Sequence, residues 1–171
     1  MTCRSTAIVT AVGTAVVMIA TINAKPAPLL IWNASESVPI GLYRLQSAEQ
    51  FTVAELVVAM PEGPLAGFLA ERGYLPLGVP LIKHILAVPG QTICRNHLTI
   101  MVDGFEVGAA RERDHRGRQL PAWEGCQMIA QDEVFLMNWD QPASLDGRYF
   151  GPIRASAILG RAQPLWTFDG P

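Results

Sequence analysis

The sequence predicts a mainly β domain that is preceded by one N-terminal transmembrane helix. Residues 5–24 carry no charge, and beyond them short apolar runs alternate with many of the 15 glycines and 13 prolines. Half of the 171 residues are hydrophobic and only 16% are charged, which excludes an intrinsically disordered chain. The net charge of −2 offers no cationic surface for nucleic acid, so we expect no nucleic-acid partner.

The uncharged segment, residues 5–24, has the length of a membrane-spanning helix. Twenty helical residues rise about 30 Å, which matches the apolar thickness of a bilayer. A cleaved signal peptide and a buried core helix are the alternatives. A signal peptide has a shorter apolar region and small residues before its cleavage site, whereas Ile22 occupies one of those positions. The sequence therefore favours an uncleaved anchor.

The charges on either side of the anchor predict its orientation. Arg4 precedes the apolar segment, and Lys25 on the far side weakens the asymmetry without reversing it. We expect residues 1–24 to form a cytoplasmic tip and transmembrane anchor, and residues 25–171 to form one exported domain.

The exported domain consists of β-rich runs that end at proline, glycine or polar residues. Asp103-Gly104 is a strong signal for a two-residue hairpin turn. One short helix is predicted over residues 65–73. The predicted strands cover residues 51–60, 81–88, 98–107, 133–138 and 157–168.

Two hydroxyls lie close together shortly after the anchor. Ser35 and Ser37 are two positions apart, so in an extended segment both would point the same way, and Pro39 and Gly41 then favour a turn. Such a pair could supply a nucleophile and a neighbouring oxyanion donor. Taken alone, the segment is more typical of an ordinary serine-rich turn.

Lys83 is the one cation in an aliphatic run over residues 79–90. Burial among aliphatic side chains disfavours the charged amine and lowers its pKa, which would let it accept a proton from a serine. Taken alone, the pattern is more typical of a lysine that extends its amine into solvent at a strand edge.

Ser144, Asp146 and Arg148 alternate, so on a strand or open loop they would share one face. The aspartate and arginine could brace a site while the serine orients an amine. The alternative is a surface ion pair, which contributes about 0–1 kcal/mol.

Two other features, the histidines and an arginine-rich segment, give weaker evidence for a binding site. His84, His97 and His115 have no metal-ligand spacing with cysteine or carboxylate, so we expect neither a metal site nor another cofactor. The arginine-rich segment over residues 111–118 could bind an anionic partner, but its interleaved acidic residues favour a solvated loop.

Together these motifs resemble the type I signal peptidase superfamily. An anchor is followed by Ser-x-Ser-x-Pro-x-Gly-Leu-Tyr, then by Lys-x-x-x-x-x-Pro-Gly, then by Ser-x-Asp-x-Arg-Tyr-Phe-Gly-Pro. Within the superfamily, the Gly-Leu-Tyr-Arg and Arg-Tyr-Phe-Gly-Pro stretches most resemble conjugative-transfer signal peptidases, which mature pilin subunits.

The resemblance implies a role for each residue of these motifs. Ser37 corresponds to the nucleophile and Lys83 to the general base, while Ser35 corresponds to the hydroxyl that helps to bind the oxyanion. Ser144 corresponds to a serine bonded to the base. Asp146 and Arg148 correspond to a structural ion pair, in a domain of coiled β-sheets that lies on the membrane.

The chain departs from the family pattern in three places. Gly147 replaces a serine between the aspartate and the arginine, and residues 138–140 replace a Gly-Asp-Asn stretch. His84 stands where the family often has arginine. Some relatives use a histidine base, but His84 is one position from Lys83, so on a strand it should face away from Ser37.

The resemblance implies a membrane-anchored serine endopeptidase with a Ser–Lys dyad, single-pass in the bacterial inner membrane with its catalytic domain on the periplasmic face. Its partners would be the lipid bilayer and an exported precursor, such as a conjugative pilin. Resolution of the acyl-enzyme by water or by a peptide amine, which would cyclise the pilin, stays open. A housekeeping signal peptidase and an inactive membrane-tethered scaffold are the alternatives. A self-cleaving repressor would need a DNA-binding domain where this chain has its anchor.

The three cysteines predict one disulfide. Cys94 and Cys126 both lie in the exported domain, where disulfides persist, and Cys3 precedes the anchor. We therefore expect Cys94 to pair with Cys126 and Cys3 to stay free. Two buried thiols are the alternative.

Overall fold

The computed structural model of the chain describes residues 30–48 and 50–168, and these fold into two antiparallel sheets. The larger sheet has seven strands in the order β1-β2-β11-β3-β4-β9-β10. Its strands are β1 (Leu30–Asn33), β2 (Ile40–Gln46), β3 (Leu56–Ala59), β4 (Leu81–Ala87), β9 (Glu133–Leu136), β10 (Ile153–Arg154) and β11 (Ile158–Phe168). The predicted mainly β class is confirmed.

The smaller sheet has four strands in the order β7-β6-β5-β8. Its strands are β5 (Thr92–Asn96), β6 (Thr99–Val102), β7 (Phe105–Ala109) and β8 (Gly125–Met128). The predicted hairpin turn at Asp103-Gly104 joins β6 to β7. Ile93 and Ile100 from this sheet pack against Phe135 and Met137, which extends one apolar core from the small sheet to the end of β9.

Two α-helices are present among the described residues. The first, α1 (Gly63–Glu71), begins two residues before the predicted start because proline is accepted in the first turn. The second, α2 (Gly147–Phe150), is a single turn that the sequence did not predict. The prediction of a strand or open loop through Arg148 was therefore wrong. The Asp146 carboxylate accepts a hydrogen bond from the Arg148 backbone N–H and so caps this turn.

One predicted strand is shorter than expected. Only Leu56–Ala59 is extended within residues 51–60. The residues before it form a turn in which Ala54 has a positive φ of 72° and the Glu55 carboxylate accepts from the Thr52 N–H at 3.1 Å. An acidic side chain that bonds its own upstream backbone competes with the sheet for that backbone donor.

The predicted anchor over residues 5–24 lies outside the described residues. Within residues 30–48 and 50–168, no helix combines the length and apolar character needed to cross a membrane.

A disulfide joins β5 to β8. Cys94 and Cys126 lie directly opposite each other in the antiparallel ladder, with their Cα atoms 4.0 Å apart. The bond fastens the segment that carries the arginine-rich loop to the small sheet. The prediction for Cys3 falls outside the described residues.

Candidate active site

A cleft of about 540 Å³ brings together Ser35, Ser37, Lys83 and Ser144. Its walls come from the turn between β1 and β2, from the beginning of β4, and from the loop that follows β9. Much of the remaining lining is apolar. These apolar residues include Ile31, Trp32, Leu69, Leu75, Leu81 and Leu145.

The two hydroxyls of the first motif are adjacent, and the segment that carries them is a turn, the local conformation that the sequence favoured. The Oγ atoms of Ser35 and Ser37 are 2.9 Å apart. Ser35 Oγ also lies 2.9 Å from Asn33 Oδ1, which can only accept. The Ser35 proton is therefore directed to Asn33, and the Ser37 hydroxyl donates to Ser35.

Asn33 organises this turn, a role that was not predicted from the sequence. Its Oδ1 accepts from the Ser35 N–H, and its Nδ2 donates to the carbonyls of Ser35, Val38 and Pro39 at 2.8–3.1 Å. An asparagine that bonds a backbone N–H two residues later is a recognised turn signal. That signal could have identified Asn33 from the sequence.

Lys83 is buried in β4, with only 2% of its surface exposed. This excludes the alternative of a lysine extended into solvent. Its Nζ donates to Ser144 Oγ at 2.7 Å. Burial lowers the pKa of Lys83 to about 8, while Asp146 opposes that change and Arg148 adds to it. A useful fraction of the amine is therefore neutral near physiological pH.

Lys83 and Ser37 line the same cleft but are not hydrogen-bonded to each other among the described residues. The Ser37 hydroxyl is turned toward Ser35 and the Lys83 amine toward Ser144. Proton transfer between them would require these two side chains to exchange their present partners for each other.

Asp146 and Arg148 form a buried ion pair, so the alternative of a surface pair is wrong. Their side chains are 0% and 1% exposed, and Nε and Nη2 of the arginine each donate to one carboxylate oxygen at 2.8 Å. Nη2 also donates to the carbonyls of Asn138, Gln141 and Ser144 at 2.8–3.3 Å. The pair thus fixes the loop that presents Ser144 to the lysine.

The departure at Gly147 has a steric cause. A Cβ atom at this position would lie 2.7 Å from the Leu136 carbonyl oxygen and 2.7 Å from the Phe135 ring. Residue 147 cannot carry a side chain without displacing backbone, so the serine of the family pattern does not fit in this chain.

His84 lies on the other face of β4 and does not line the cleft. Its Nδ1 is 3.1 Å from Asn138 Oδ1, and its ring is 4.6 Å from the Trp139 ring. This agrees with the prediction that it faces away from Ser37. The arginine-rich segment over residues 111–118 is also outside the cleft, and Arg118 pairs there with Asp114 at 2.7 Å.

Comparison with known proteins identifies the family. The sequence model of signal peptidases, peptidase S26, matches residues 2–166. This chain belongs to that family. The chain is also similar to the conjugal transfer protein TraF of Agrobacterium fabrum, 36% identical over 80% of this chain and 82% of the relative.

Further relatives carry similar names. The probable conjugal transfer protein TraF of Sinorhizobium fredii is 37% identical over 80% of this chain and 76% of the relative. The plasmid transfer protein TraF of Escherichia coli is 29% identical over 80% of this chain and 82% of the relative. A crystal structure of a signal peptidase I from Enterococcus faecalis covers 67% of this chain and 98% of its own, with 15% identity and a TM-score of 0.40.

Proposed function

We propose that this S26 peptidase is a serine endopeptidase in which Ser37 is the nucleophile and Lys83 the general base. One observation carries the proposal: a buried lysine amine with a pKa of about 8 shares a cleft with a paired serine hydroxyl. A group that must accept a proton near neutral pH works best with a pKa close to the operating pH.

In the proposed reaction, Lys83 and Ser37 act in sequence on the scissile peptide bond. Neutral Lys83 takes the proton of Ser37, and the Ser37 oxygen attacks the scissile carbonyl. The Ser35 hydroxyl, once it turns from Asn33 toward the substrate, and the Ser37 backbone N–H would stabilise the oxyanion. Lys83 then gives its proton to the leaving amine, and the acyl group stays on Ser37. Attack by water releases a carboxylate, whereas attack by a peptide amine forms a new peptide bond.

The substrate we propose is an exported precursor used in conjugation, such as a pilin subunit. The relatives are named as conjugal or plasmid transfer proteins, which supports this choice. An apolar cleft next to the nucleophile suits the small residues that precede cleavage sites in exported precursors.

We propose that the domain works at the periplasmic face of the inner membrane. The uncharged segment over residues 5–24 supports an anchor five residues before β1 begins at Leu30. Beside the cleft, exposed Trp32, Trp166 and Phe168 form an aromatic cluster with ring centroids 4.7–6.4 Å apart. Aromatic rings favour the interface between lipid and water, so this cluster supports a cleft that opens at the bilayer surface.

The test is processing of a pilin precursor by purified full-length protein in lipid. Ser37→Ala and Lys83→Met should each abolish processing without unfolding the protein, and the double variant should be no worse because the two groups act as a unit. Ser47→Ala, at an exposed serine after β2, is the matched control.

Two results would contradict the proposal. If activity were retained in Lys83→Met but lost in His84→Ala, the general base would be His84 and not Lys83. A wild-type protein that binds precursor without cleaving it would favour an inactive scaffold.

The same assay separates the forms of the proposed activity. The mass of the product separates hydrolysis from cyclisation, and equal cleavage of unrelated precursors would indicate a housekeeping role.

A further inference from the structure

Asn138 lies two residues after β9 and contacts both catalytic segments, although it does not line the cleft. Its side chain is completely buried. Nδ2 donates to the Ser37 carbonyl at 2.6 Å and, more weakly, to the Ile82 carbonyl at 3.4 Å. Oδ1 accepts from the His84 backbone N–H at 3.0 Å.

The β4 contacts lie on the two neighbours of the lysine. Ile82 and His84 flank Lys83 in the strand, and both are bonded to the one amide that also holds the Ser37 carbonyl. A single planar group therefore fixes the backbone of the nucleophile relative to the backbone of the base.

The orientation of this amide is determined by its partners. Carbonyl oxygens can only accept and the His84 N–H can only donate, so a flipped amide would place like groups against each other. The same logic assigns a proton to His84 Nδ1, which lies 3.1 Å from Oδ1. The amide thus has no alternative arrangement of similar energy.

The main chain of Asn138 is held by the buried ion pair. Its N–H donates to Asp146 Oδ2 at 3.1 Å, and its carbonyl accepts from Arg148 Nη2 at 3.3 Å. The ion pair thereby positions Asn138, and Asn138 positions Ser37 and the strand around Lys83. The family pattern described above has glycine at this place, and glycine has no side chain to form such a link.

We infer that Asn138 is a positioning residue, which sets the placement of Ser37 relative to Lys83 through its side-chain amide. The inference rests on the proposed Ser37–Lys83 function. It requires that loss of the amide slows the chemical step while substrate binding is preserved, because Asn138 does not itself line the cleft.

The first variants separate chemistry from stability. Asn138→Ala should lower kcat by about 10- to 100-fold and change KM by less than about threefold, since a misplacement of about 1 Å can reduce a rate a hundredfold. The substrate is a fluorogenic peptide with alanine at the third and first positions before the cut. Ile100→Ala, in the apolar core of the small sheet, is the control for lost stability and should keep kcat within about twofold.

The second variant, Asn138→Asp, tests the pH dependence of kcat/KM, which a loss of stability alone would not change. Asn138→Asp keeps the size and the acceptor oxygen but opposes a carboxylate oxygen to the Ser37 carbonyl. Its negative charge joins Asp146, Arg148 and His84 as the ionisable groups around Lys83. The charge favours the protonated amine, so the rise of kcat/KM with pH should move to higher pH by about half a unit or more.

An NMR titration tests the placement without relying on activity. The chain has two lysines, Lys25 and Lys83, so ¹³Cε-labelled lysine gives two signals, and Lys83→Met assigns them. The Lys83 midpoint should rise in Asn138→Asp relative to the wild type.

The outcomes separate the two hypotheses. An active wild type whose Asn138 variants keep kcat, pH profile and Lys83 midpoint would overturn the positioning role. Losses of kcat no larger than that of Ile100→Ala, compared at equal melting temperature, would also overturn the positioning role. A wild type that cleaves no substrate would contradict the proposed function instead. In that case, an unmoved Lys83 midpoint in Asn138→Asp would overturn the placement as well.

Discussion

The two sheets of this molecule are stabilised in different ways. The large sheet and its loops bury Asn33, Lys83, Asn138, Ser144, Asp146 and Arg148 around the cleft. Both sheets have apolar cores, but the small sheet, whose core includes Ile93, Ile100 and Val102, is cross-linked by a disulfide instead of carrying such a polar network. Apolar packing is not directional, whereas each buried polar group needs a correctly oriented partner. Small errors should therefore impair function at the cleft but only stability in the small sheet.

Arg95 is the exception in the small sheet. It is buried on β5, and its Nη1 donates to the Arg148 carbonyl. Its Nε donates to the His97 carbonyl at 2.8 Å. The directional network of the cleft therefore extends into the small sheet at this residue.

The largest effect should come from breaking the ion pair. Arg148→Met would leave the Asp146 carboxylate buried without its partner, which costs about 3–5 kcal/mol of unfolding free energy. Urea denaturation measures this loss. Arg161→Met is the control, since its pair with Glu55 is partly exposed and should contribute less than about 1 kcal/mol. Equal losses in the two variants would remove the distinction between the regions.

Removing the disulfide should lower stability alone. The bond closes a loop with a sequence separation of 32, for which the chain-entropy model gives about 3–4 kcal/mol. The double variant Cys94→Ser/Cys126→Ser should unfold at lower urea, while its kcat below that range stays near the wild-type value. Reducing agent should destabilise the wild type but not the variant. A fall in kcat would instead show that the small sheet contributes to catalysis.

Lys83 should make the stability of the cleft region depend on pH. The unfolded lysine keeps its proton up to a pKa near 10.5, whereas the folded one loses it near 8. The unfolded state binds more protons between these values, so the free energy of unfolding should rise with pH across that window. The gain, on the order of 3 kcal/mol, should be absent in Lys83→Met. Parallel curves for both proteins would contradict the lowered pKa.

The smallest effect concerns the backbone beneath the ion pair. Gly147→Ser, which restores the family pattern, should cost about 1–3 kcal/mol because the new Cβ meets the Leu136 carbonyl and the Phe135 ring. Gly67→Ser is the matched control, since nothing lies within 4 Å of a Cβ in α1 at that position. Thermal unfolding compares the two, and an unaffected Gly147→Ser would show that the backbone there can move.

Much of the fold could be predicted because its signals are local. The Asp103-Gly104 hairpin, the helix around residues 65–73 and the later strands follow from turn residues and apolar runs. The Cys94–Cys126 pairing was also predictable, because only these two cysteines lie beyond the predicted anchor. The α2 turn was not, since an alternation of Ser144, Asp146 and Arg148 also fits a strand.

The residues of the site could be predicted from the sequence, but the hydrogen bonds between them could not. Ser37 and Lys83 are separated by 46 positions in the sequence. Their motifs identify the two residues but do not predict the hydrogen bonds that each of them makes. Asn138 was visible only as a departure from a family pattern, because its partners lie 54 and 101 positions away. Long-range polar contacts leave no periodic signal in a sequence, so their assignment needs coordinates.

The strand order has a consequence for the timing of assembly. The serine turn leads into β2 and Lys83 lies on β4, and in the large sheet β11 and β3 separate these two strands. Of the separating strands, β11 comes last in the chain and pairs with both β2 and β3. A nascent chain that has not yet released residues 158–168 lacks the strand that joins the two halves of the proposed site. The site would therefore assemble only after residues 158–168 have been synthesised and have paired with both strands.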